Sequence, residues 1–450
     1  MNQLFVTLGM LELLRHKFNT QKRKPIVFVP GLYGSMSDEI ISGTGDWGFG
    51  MAASVYEPFI RSLEEMGYKK NEDLFIAFYD WRKECTFCAR RYLRDVIDKA
   101  KKKCKSRKVN IICHSMGGLV ARAYVQSKNY RYDVDHLIMI ATPNGGAVNA
   151  YCFWAGGMLP YKRNIKSNIF RTLLEGYLWV LEKLYSAKNE METIHKHLKS
   201  AKDLLPSHQY GDYLYYLNKD GNLCYVSCEK MAYQNDFLNQ LNEREYLLKR
   251  RRVKVTLIGG KGVQTNNYLQ IDKRYKDKEN KWLDGKVIGI SKSEEGDGTV
   301  MLRSVFAIEG DSYVFQATHV DILKKCRFVI GKKLGIKENN IYRKNDESLN
   351  NYISILVNGV GDLFIRSVTK EGIITIYDGI KSMDGVYVEK YDEGLKWIIL
   401  VGISRDRLYM EYIPKENGKM EIQIDDSFGM RKKIQEREVR KNQAYRLNLS

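Results

Sequence analysis

Three side chains in this 450-residue sequence could together carry out nucleophilic acyl chemistry: Ser115, Asp297 and His319. Ser115 lies in Val109-Asn110-Ile111-Ile112-Cys113-His114-Ser115-Met116-Gly117-Gly118-Leu119-Val120, where a β-branched apolar run meets small residues and then a helix-forming segment. A serine at the tip of such a strand–turn–helix is a nucleophile elbow. The strained turn exposes its hydroxyl and aims the next backbone N–H, that of Met116, at the same point beside a helix N-terminus. Crowding in the turn demands small residues two positions before and after the serine. Gly117 meets that demand, and Cys113 keeps the size small without removing the side chain. The bland alternative is an ordinary strand–glycine–helix connection with an incidental serine.

Asp297 sits in Glu294-Glu295-Gly296-Asp297-Gly298-Thr299-Val300, where flanking glycines let a loop turn sharply and deliver a carboxylate to a fixed place. A calcium loop is the competing reading, but the ligand spacing of an EF-hand is absent. The histidine follows by elimination, because elbow-bearing folds order their triads serine, acid, histidine. Of the seven histidines, His16 and His114 precede Ser115, and His136 begins a strand. His195, His197 and His208 lie in an aromatic-rich insertion ahead of any sheet-borne acid. That leaves His319, at a strand end 22 residues after Asp297.

These residues need elements to hold them. Pro25–Pro30 reads as a buried strand that runs into Gly31-Leu32-Tyr33-Gly34-Ser35-Met36, the place for a second oxyanion donor, which we assign to the Leu32 N–H. A simple glycine turn is the alternative there. A Gly-rich loop from Gly43 to Gly50 surrounds Trp47. A second strand, Asp73 to Tyr79, enters the charged turn Asp80-Trp81-Arg82. The following helix places Tyr92, Val96 and Ala100 at four-residue spacing with Leu93 and Ile97 beside them; its lysines, Lys99 to Lys105, read as a solvated face. The strand His136–Ala141 comes next, and Val253–Ile258 returns to the sheet. Strands alternating with helices predict a parallel sheet with right-handed crossovers. Between them, residues 147–252 read as a helical, aromatic-rich insertion that would overhang the site as a cap; extra core helices are the alternative. Trp47, Trp81, Arg82 and Trp154 are the candidates for substrate or lid contacts.

From Asp346 onward the sequence breaks into seven short strand-like runs separated by turns such as Asn-Gly and Asp-Gly, which predicts a small sandwich. The expected division is therefore 1–340 for the catalytic unit and 346–450 for an all-β accessory unit, with the polar stretch from Asn339 to Asn351 as linker. Lys and Arg number 73 against 54 Asp and Glu, a net charge of +19. Residues 346–450 hold 16 basic and 17 acidic groups, so the excess of +20 belongs to residues 1–345. Such charge can serve nucleic acid or an anionic membrane surface. No helix-turn-helix, ribonucleoprotein or zinc-finger pattern supports the first, and nucleic acid is not an expected partner.

The eight cysteines are too few and too scattered for a disulfide scaffold. Cys85/Cys88 and Cys224/Cys228 form close pairs, but the distance between the pairs fits no standard zinc spacing, and reduced structural thiols are the expectation. No metal or cofactor is expected. No run approaches the roughly 18 apolar residues of a membrane span. The apolar stretch within Met1 to Lys17 is interrupted by Glu12 and lacks a preceding charge and a cleavage site, so it does not read as a signal peptide. The expected location is cytoplasmic or peripheral to a membrane.

In order, Val29-Pro30-Gly31, Tyr79-Asp80-Trp81-Arg82, Cys113-His114-Ser115-Met116-Gly117-Gly118, Thr142-Pro143-Asn144-Gly145-Gly146, Leu204-Leu205-Pro206-Ser207, Gly296-Asp297-Gly298-Thr299-Val300 and His319 resemble the lecithin:cholesterol acyltransferase and lysosomal phospholipase A2 family. The resemblance spans roughly residues 25–325 and implies an α/β-hydrolase fold with a helical cap, and acyl-ester chemistry on lipids. It also implies Ser115 as nucleophile, Asp297 as acid, His319 as base, and the N–H groups of Leu32 and Met116 as oxyanion hole. Cys113, the missing lid disulfide and the extra β unit depart from the family pattern. Three functions remain open on sequence: a lipid ester hydrolase, an acyltransferase using the same acyl-enzyme, and a basic non-catalytic module on a hydrolase fold.

Overall fold

The structure is a computed structural model that describes residues 23–42, 44–158, 169–185, 190–275, 281–337, 351–391, 394–404, 407–427 and 431–449. The N-terminal apolar stretch, nearly all of the expected linker and Tyr161 of the insertion lie outside these residues. Six strands form one parallel sheet: β1 (Ile26–Val29), β2 (Leu74–Ile76), β3 (Val109–His114), β4 (Val134–Ile140), β7 (Lys254–Lys261) and β10 (Asp311–Gln316). Their spatial order is β2-β1-β3-β4-β7-β10. The chain therefore builds outward from β1 in one direction, then reverses and builds outward from β3 in the other. The carboxyl ends of β1 and β3 flank this switch point, the crevice where open α/β sheets bind ligands.

The apolar strand runs explain the burial: β1 and β3 are buried at every position, as a parallel sheet covered on both faces requires. Helices α1 (Ala53–Glu65), α2 (Arg94–Cys104) and α3 (Gly117–Val125) supply that cover. Leu93, Ile97 and Ala100 face inward, while Lys99, Lys102, Lys103 and Lys105 are exposed, so the lysine run is a solvated face.

The insertion after β4 contains α4 (Val148–Gly156), α5 (Ile169–Tyr185), α6 (Glu190–His197), α7 (Ser200–Asp203) and α8 (Asp236–Glu243). It is not wholly helical. Residues Leu214–Leu217 and Leu223–Val226 form the hairpin β5–β6, which joins β8 (Thr265–Asp272) and β9 (Lys286–Ser293) in a second sheet, ordered β6-β5-β8-β9. The reason is local. Aromatic and β-branched residues favour strand, and Asn218 Oδ1 accepts the N–H groups of Asp220 and Asn222, at 2.9 Å each, to fix the turn, with Gly221 at φ +80.

From Tyr352 on, nine antiparallel strands among the described residues form two sheets. The first has the order β14 (Val386–Lys390), β15 (Leu395–Val401), β11 (Tyr352–Asn358), β17 (Gly418–Asp426) and β18 (Arg431–Val439), and the second the order β13 (Gly372–Tyr377), β12 (Gly361–Thr369), β16 (Leu408–Pro414) and β19 (Tyr445–Asn448). In the first, β11 (Tyr352–Asn358) and β15 (Leu395–Val401) alternate between two cores. Ile353, Ile355, Val357, Ile398 and Leu400 point into the sandwich, while Tyr352, Leu356, Trp397 and Ile399 join the hydrophobic core of the α/β part. The period of two along each strand thus buries both faces of one sheet. Among the described residues, no helix is long and apolar enough to cross a membrane.

Candidate active site

Ser115 follows β3 directly and has φ +53, a left-handed conformation in which a non-glycine residue is strained. The surrounding turn explains its neighbours. A Cβ on Gly117 would lie 2.4 Å from the Pro30 carbonyl oxygen, and one on Gly118 would lie 2.1 Å from Thr142 Oγ1. Cys113 is tolerated because its thiol points toward β4, 3.4 Å from the Ile138 carbonyl oxygen. Burial in that apolar setting pushes the thiol pKa well up, so it stays protonated.

The Ser115 Oγ lies 3.0 Å from His319 Nε2, and His319 Nδ1 lies 2.7 Å from Asp297 Oδ2. His319 and Asp297 are fully buried, and Ser115 is 6% exposed. The Asp297 loop is stitched in place by its own backbone. Asp297 Oδ1 accepts the N–H groups of Thr299 and Val300 at 2.9 and 2.7 Å, Gly298 N–H donates to Thr265 Oγ1, and His319 N–H donates to the Asp297 carbonyl at 2.9 Å. The calcium-loop alternative fails here, because the carboxylate is spent on these donors. Across the crevice, the N–H groups of Leu32 and Met116 have no protein acceptor among the described residues. Donors left open beside a nucleophile are what an oxyanion needs.

Ser115 opens onto an apolar pocket, lined among others by Leu32, Ala150, Phe153, Leu174, Leu198 and Leu204. Leu174 comes from α5 and Phe153 from α4, so residues of the insertion line the pocket beside the serine. Trp47, Trp81, Arg82 and Trp154 are not among the lining residues. Trp81 is fully buried, donates its indole N–H to the Ser35 carbonyl at 2.7 Å and packs edge-on to Tyr33 at 4.5 Å. Tyr79 donates its hydroxyl to the Pro30 carbonyl at 2.8 Å. Arg82 pairs with Asp80 at 2.9 Å and reaches the Glu39 carbonyl. The Tyr-Asp-Trp-Arg run therefore braces the loop that carries Leu32 rather than touching the cavity. Trp47 packs against Tyr92, and Trp154 stacks on His195 at 4.0 Å, one helical step away from the lining Phe153.

Other residues matter that the sequence did not single out. Arg122 is fully buried, and its hydrogen-bond partners among the described residues are neutral: Gln126, Asn144, the Leu241 carbonyl and Asn242. Burial pulls its pKa down to about 9. It ties the elbow helix α3 to α8 and to the Thr142–Gly146 loop. That loop is in turn zipped to Leu204-Leu205-Pro206-Ser207, with Ala147 N–H on the Leu204 carbonyl and Ser207 N–H on the Gly145 carbonyl, both 2.9 Å. The two motifs thus form one wall of the cavity. Of the cysteine pairs, Cys85 and Cys88 are core residues, and Cys88 donates its thiol to the Asp80 carbonyl, whereas Cys224 and Cys228 are half-buried. Among the described residues, no group of three His, Cys, Asp or Glu side chains is arranged to hold a metal ion.

Residues 49–167 match the family model described as lecithin:cholesterol acyltransferase, a stretch that includes Ser115 and ends before Asp297. None of the curated proteins matches the chain. Among solved structures, it is similar to the mature form of the lipase BlEst2 from Bacillus licheniformis, at 14% identity and TM-score 0.37, over 70% of this chain and 94% of that one. The propeptide form of the same lipase aligns at 12% identity and TM-score 0.36, over 94% and 96% of the two chains. The carboxylesterase CesB (YbfK) from Bacillus subtilis aligns at 10% identity and TM-score 0.32, over 70% and 84%. The sheet order, the elbow and the family match agree on an α/β-hydrolase enzyme of the serine hydrolase or acyltransferase kind, similar to the lecithin:cholesterol acyltransferase model over residues 49–167.

Proposed function

We propose that this enzyme cleaves acyl esters of lipids through a Ser115–His319–Asp297 triad, with Leu32 and Met116 as oxyanion donors. The observation that carries the reading is a hydrogen-bonded relay that opens onto a pocket with an almost wholly apolar lining, the surroundings an acyl chain takes. Ser115 Oγ attacks the ester carbonyl carbon while its proton moves to His319 Nε2. Asp297 holds the imidazole by Nδ1 and stabilises the charge it gains. The negative oxygen of the tetrahedral intermediate takes the two open N–H groups, which were aligned before reaction began. Collapse expels the alcohol, which receives its proton from His319, and leaves Ser115 acylated. Water activated by the same histidine then releases the fatty acid.

A second reading, acyl transfer, is favoured by the family match: an alcohol takes the place of water in the last step. The two share every residue up to the acyl-enzyme and differ in product. The catalytic unit is taken as 1–340, and 346–450 as an accessory β unit that packs on it. Binding would occur at a membrane surface, where the basic excess of residues 1–345 meets anionic lipid.

The experiment is intact-mass analysis after a fluorophosphonate probe, with hydrolysis of a p-nitrophenyl ester in parallel. One adduct at Ser115 is expected, and Ser115→Ala should lose the adduct and about 10⁴-fold or more of the activity. Activity retained in Ser115→Ala would sink the proposal. Adding a long-chain alcohol and looking for a new ester separates transfer from hydrolysis.

A further inference from the structure

The oxyanion loop and the catalytic histidine are joined behind the site by an unbroken chain of side-chain hydrogen bonds. The Gly31 N–H, one residue before Leu32, donates to the Tyr56 hydroxyl oxygen at 2.9 Å. That hydroxyl lies 3.0 Å from His114 Nδ1, and His114 Nε2 lies 2.8 Å from the His319 backbone carbonyl oxygen. The carbonyl can only accept, so Nε2 carries the proton of His114, and Nδ1 is left to accept from the Tyr56 hydroxyl. Every donor in the chain then has one acceptor, and the direction is the same throughout. Tyr56 and His114 are both buried, at 3% and 1% exposure, so water does not compete for these bonds.

We propose that Tyr56 and His114 are positioning residues that lock the oxyanion loop to the backbone of His319, so that the Leu32 N–H and the base keep one fixed spacing about Ser115. The inference rests on the roles of Leu32, Ser115 and His319 proposed above. Two further observations support it. Gly31 packs its backbone closely against both residues, because a Cβ there would lie 2.9 Å from Ser115 Cβ and 3.0 Å from the Tyr56 hydroxyl. The His114 ring is 4.8 Å from that of His319, and burial together with that neighbour pulls its pKa well below the usual histidine range. His114 therefore stays neutral when His319 takes up the serine proton, and two adjacent cations are avoided. Other rings nearby are that of Tyr56, 5.7 Å from that of His114 and edge-on to it, and those of Phe28 and Phe49, which pack on Tyr56. These rings carry no charge that would favour a protonated His114.

Steady-state hydrolysis of a p-nitrophenyl ester by the full chain tests the proposal. Tyr56→Phe removes only the bridging oxygen. Its kcat should fall about 10- to 100-fold with KM within about two-fold, the pattern of misplaced transition-state donors. His114→Leu should lose a similar factor, and His114→Gln, which keeps an amide N–H for the His319 carbonyl, should recover part of it. The double variant Tyr56→Phe/His114→Leu should lose little more than the worse single one, because links of one chain do not act additively. If His114→Leu fails to fold, Tyr56→Phe with His114→Gln carries the comparison. Tyr124→Phe is the control: its phenol bonds Asp133 at 2.8 Å, so it should lower Tm and leave kcat alone.

Wild-type kcat in Tyr56→Phe, in a protein whose wild type is active and takes the fluorophosphonate at Ser115, overturns the inference alone. Losses that multiply in the double variant, or a kcat that merely tracks Tm across all variants including Tyr124→Phe, also overturn it. A wild type that is neither active nor labelled overturns the proposed function and this inference with it.

Discussion

Asp297 spends both carboxylate oxygens within its immediate surroundings, one on two backbone N–H groups and one on His319. Asp311 is closer to His319 in sequence but stands at the exposed start of β10, where Lys333 at 2.7 Å holds its carboxyl below the usual range. Replacing Asp297 by Asn should cost about 10⁴ in kcat, because the amide no longer fixes the required imidazole tautomer. Asp311→Asn should stay within a few-fold, and the reverse ranking in ester kinetics would reassign the acid. The proposed roles of Ser115, Asp297 and His319 could be read from sequence because few residue types do this chemistry and their order along the chain is restricted. Those of Tyr56 and Arg122 could not, because nothing in a sequence says which buried tyrosine meets a histidine 58 positions away or which arginine is buried with its hydrogen bonds on amide and carbonyl oxygens. His114 was half legible: its place beside the serine was plain, its partners were not. Trp81 and Arg82 lie outside the pocket lining and bond the loop around Ser35 and Glu39, a placement that their residue types do not announce.

At the level of elements, α5 is held between the cavity and the β sandwich. Leu174 faces the cavity, while Thr172 bonds Tyr352 at 2.8 Å, Tyr177 packs edge-on to Trp397 at 5.0 Å, and Lys183 pairs with Glu421 at 2.8 Å. Beside Tyr177 lies Glu389 of β14 (Val386–Lys390), hydrogen-bonded to Tyr391. Burial, the largest cause, lifts the Glu389 carboxyl from 4.5 to about 7 against hydrogen bonds that lower it. The folded state therefore keeps this proton longer than the unfolded one. Its contribution is full below pH about 4.5, declines as pH rises toward 7 and is lost above. Glu389→Gln, which stays neutral, should melt higher than wild type at pH 8 and about level with it at pH 4.5. Thermal melts across that range check this, and a variant that melts lower at pH 8 would contradict it.

Periodicity revealed the parallel strands and α2, since each has one solvent side or none. It misread the β5–β6 hairpin as helix, because Leu214-Tyr215-Tyr216-Leu217 sits amid helical neighbours and pairs with a strand 55 positions on. It also passed over β18 (Arg431–Val439), whose run of charged residues conceals a strand that pairs with β17.

At the scale of the whole molecule, the uneven charge is the feature with an external consequence. An excess of +20 over residues 1–345 should draw the catalytic face to anionic lipid, at about 1 kcal/mol for each Lys or Arg near the surface and within a Debye length of about 10 Å at 0.1 M salt. Hydrolysis of vesicle lipid should rise with the anionic fraction and fall from low to high salt, while turnover of a soluble short-chain ester changes little. Vesicle activity indifferent to both, or tight binding of a competing duplex oligonucleotide, would reverse this reading of the charge. The sheet with two buried faces has a consequence of another kind. Trp397 fills the notch over Gly176, where a Cβ would come within 2.2 Å of its ring, and donates its indole N–H to Ser354. No aqueous seam separates the two parts there: one strand contributes alternate side chains to both cores. Heat must then break both cores together, so a calorimeter should record one endotherm whose van't Hoff and calorimetric enthalpies agree, as in a single cooperative unit despite the length of the chain.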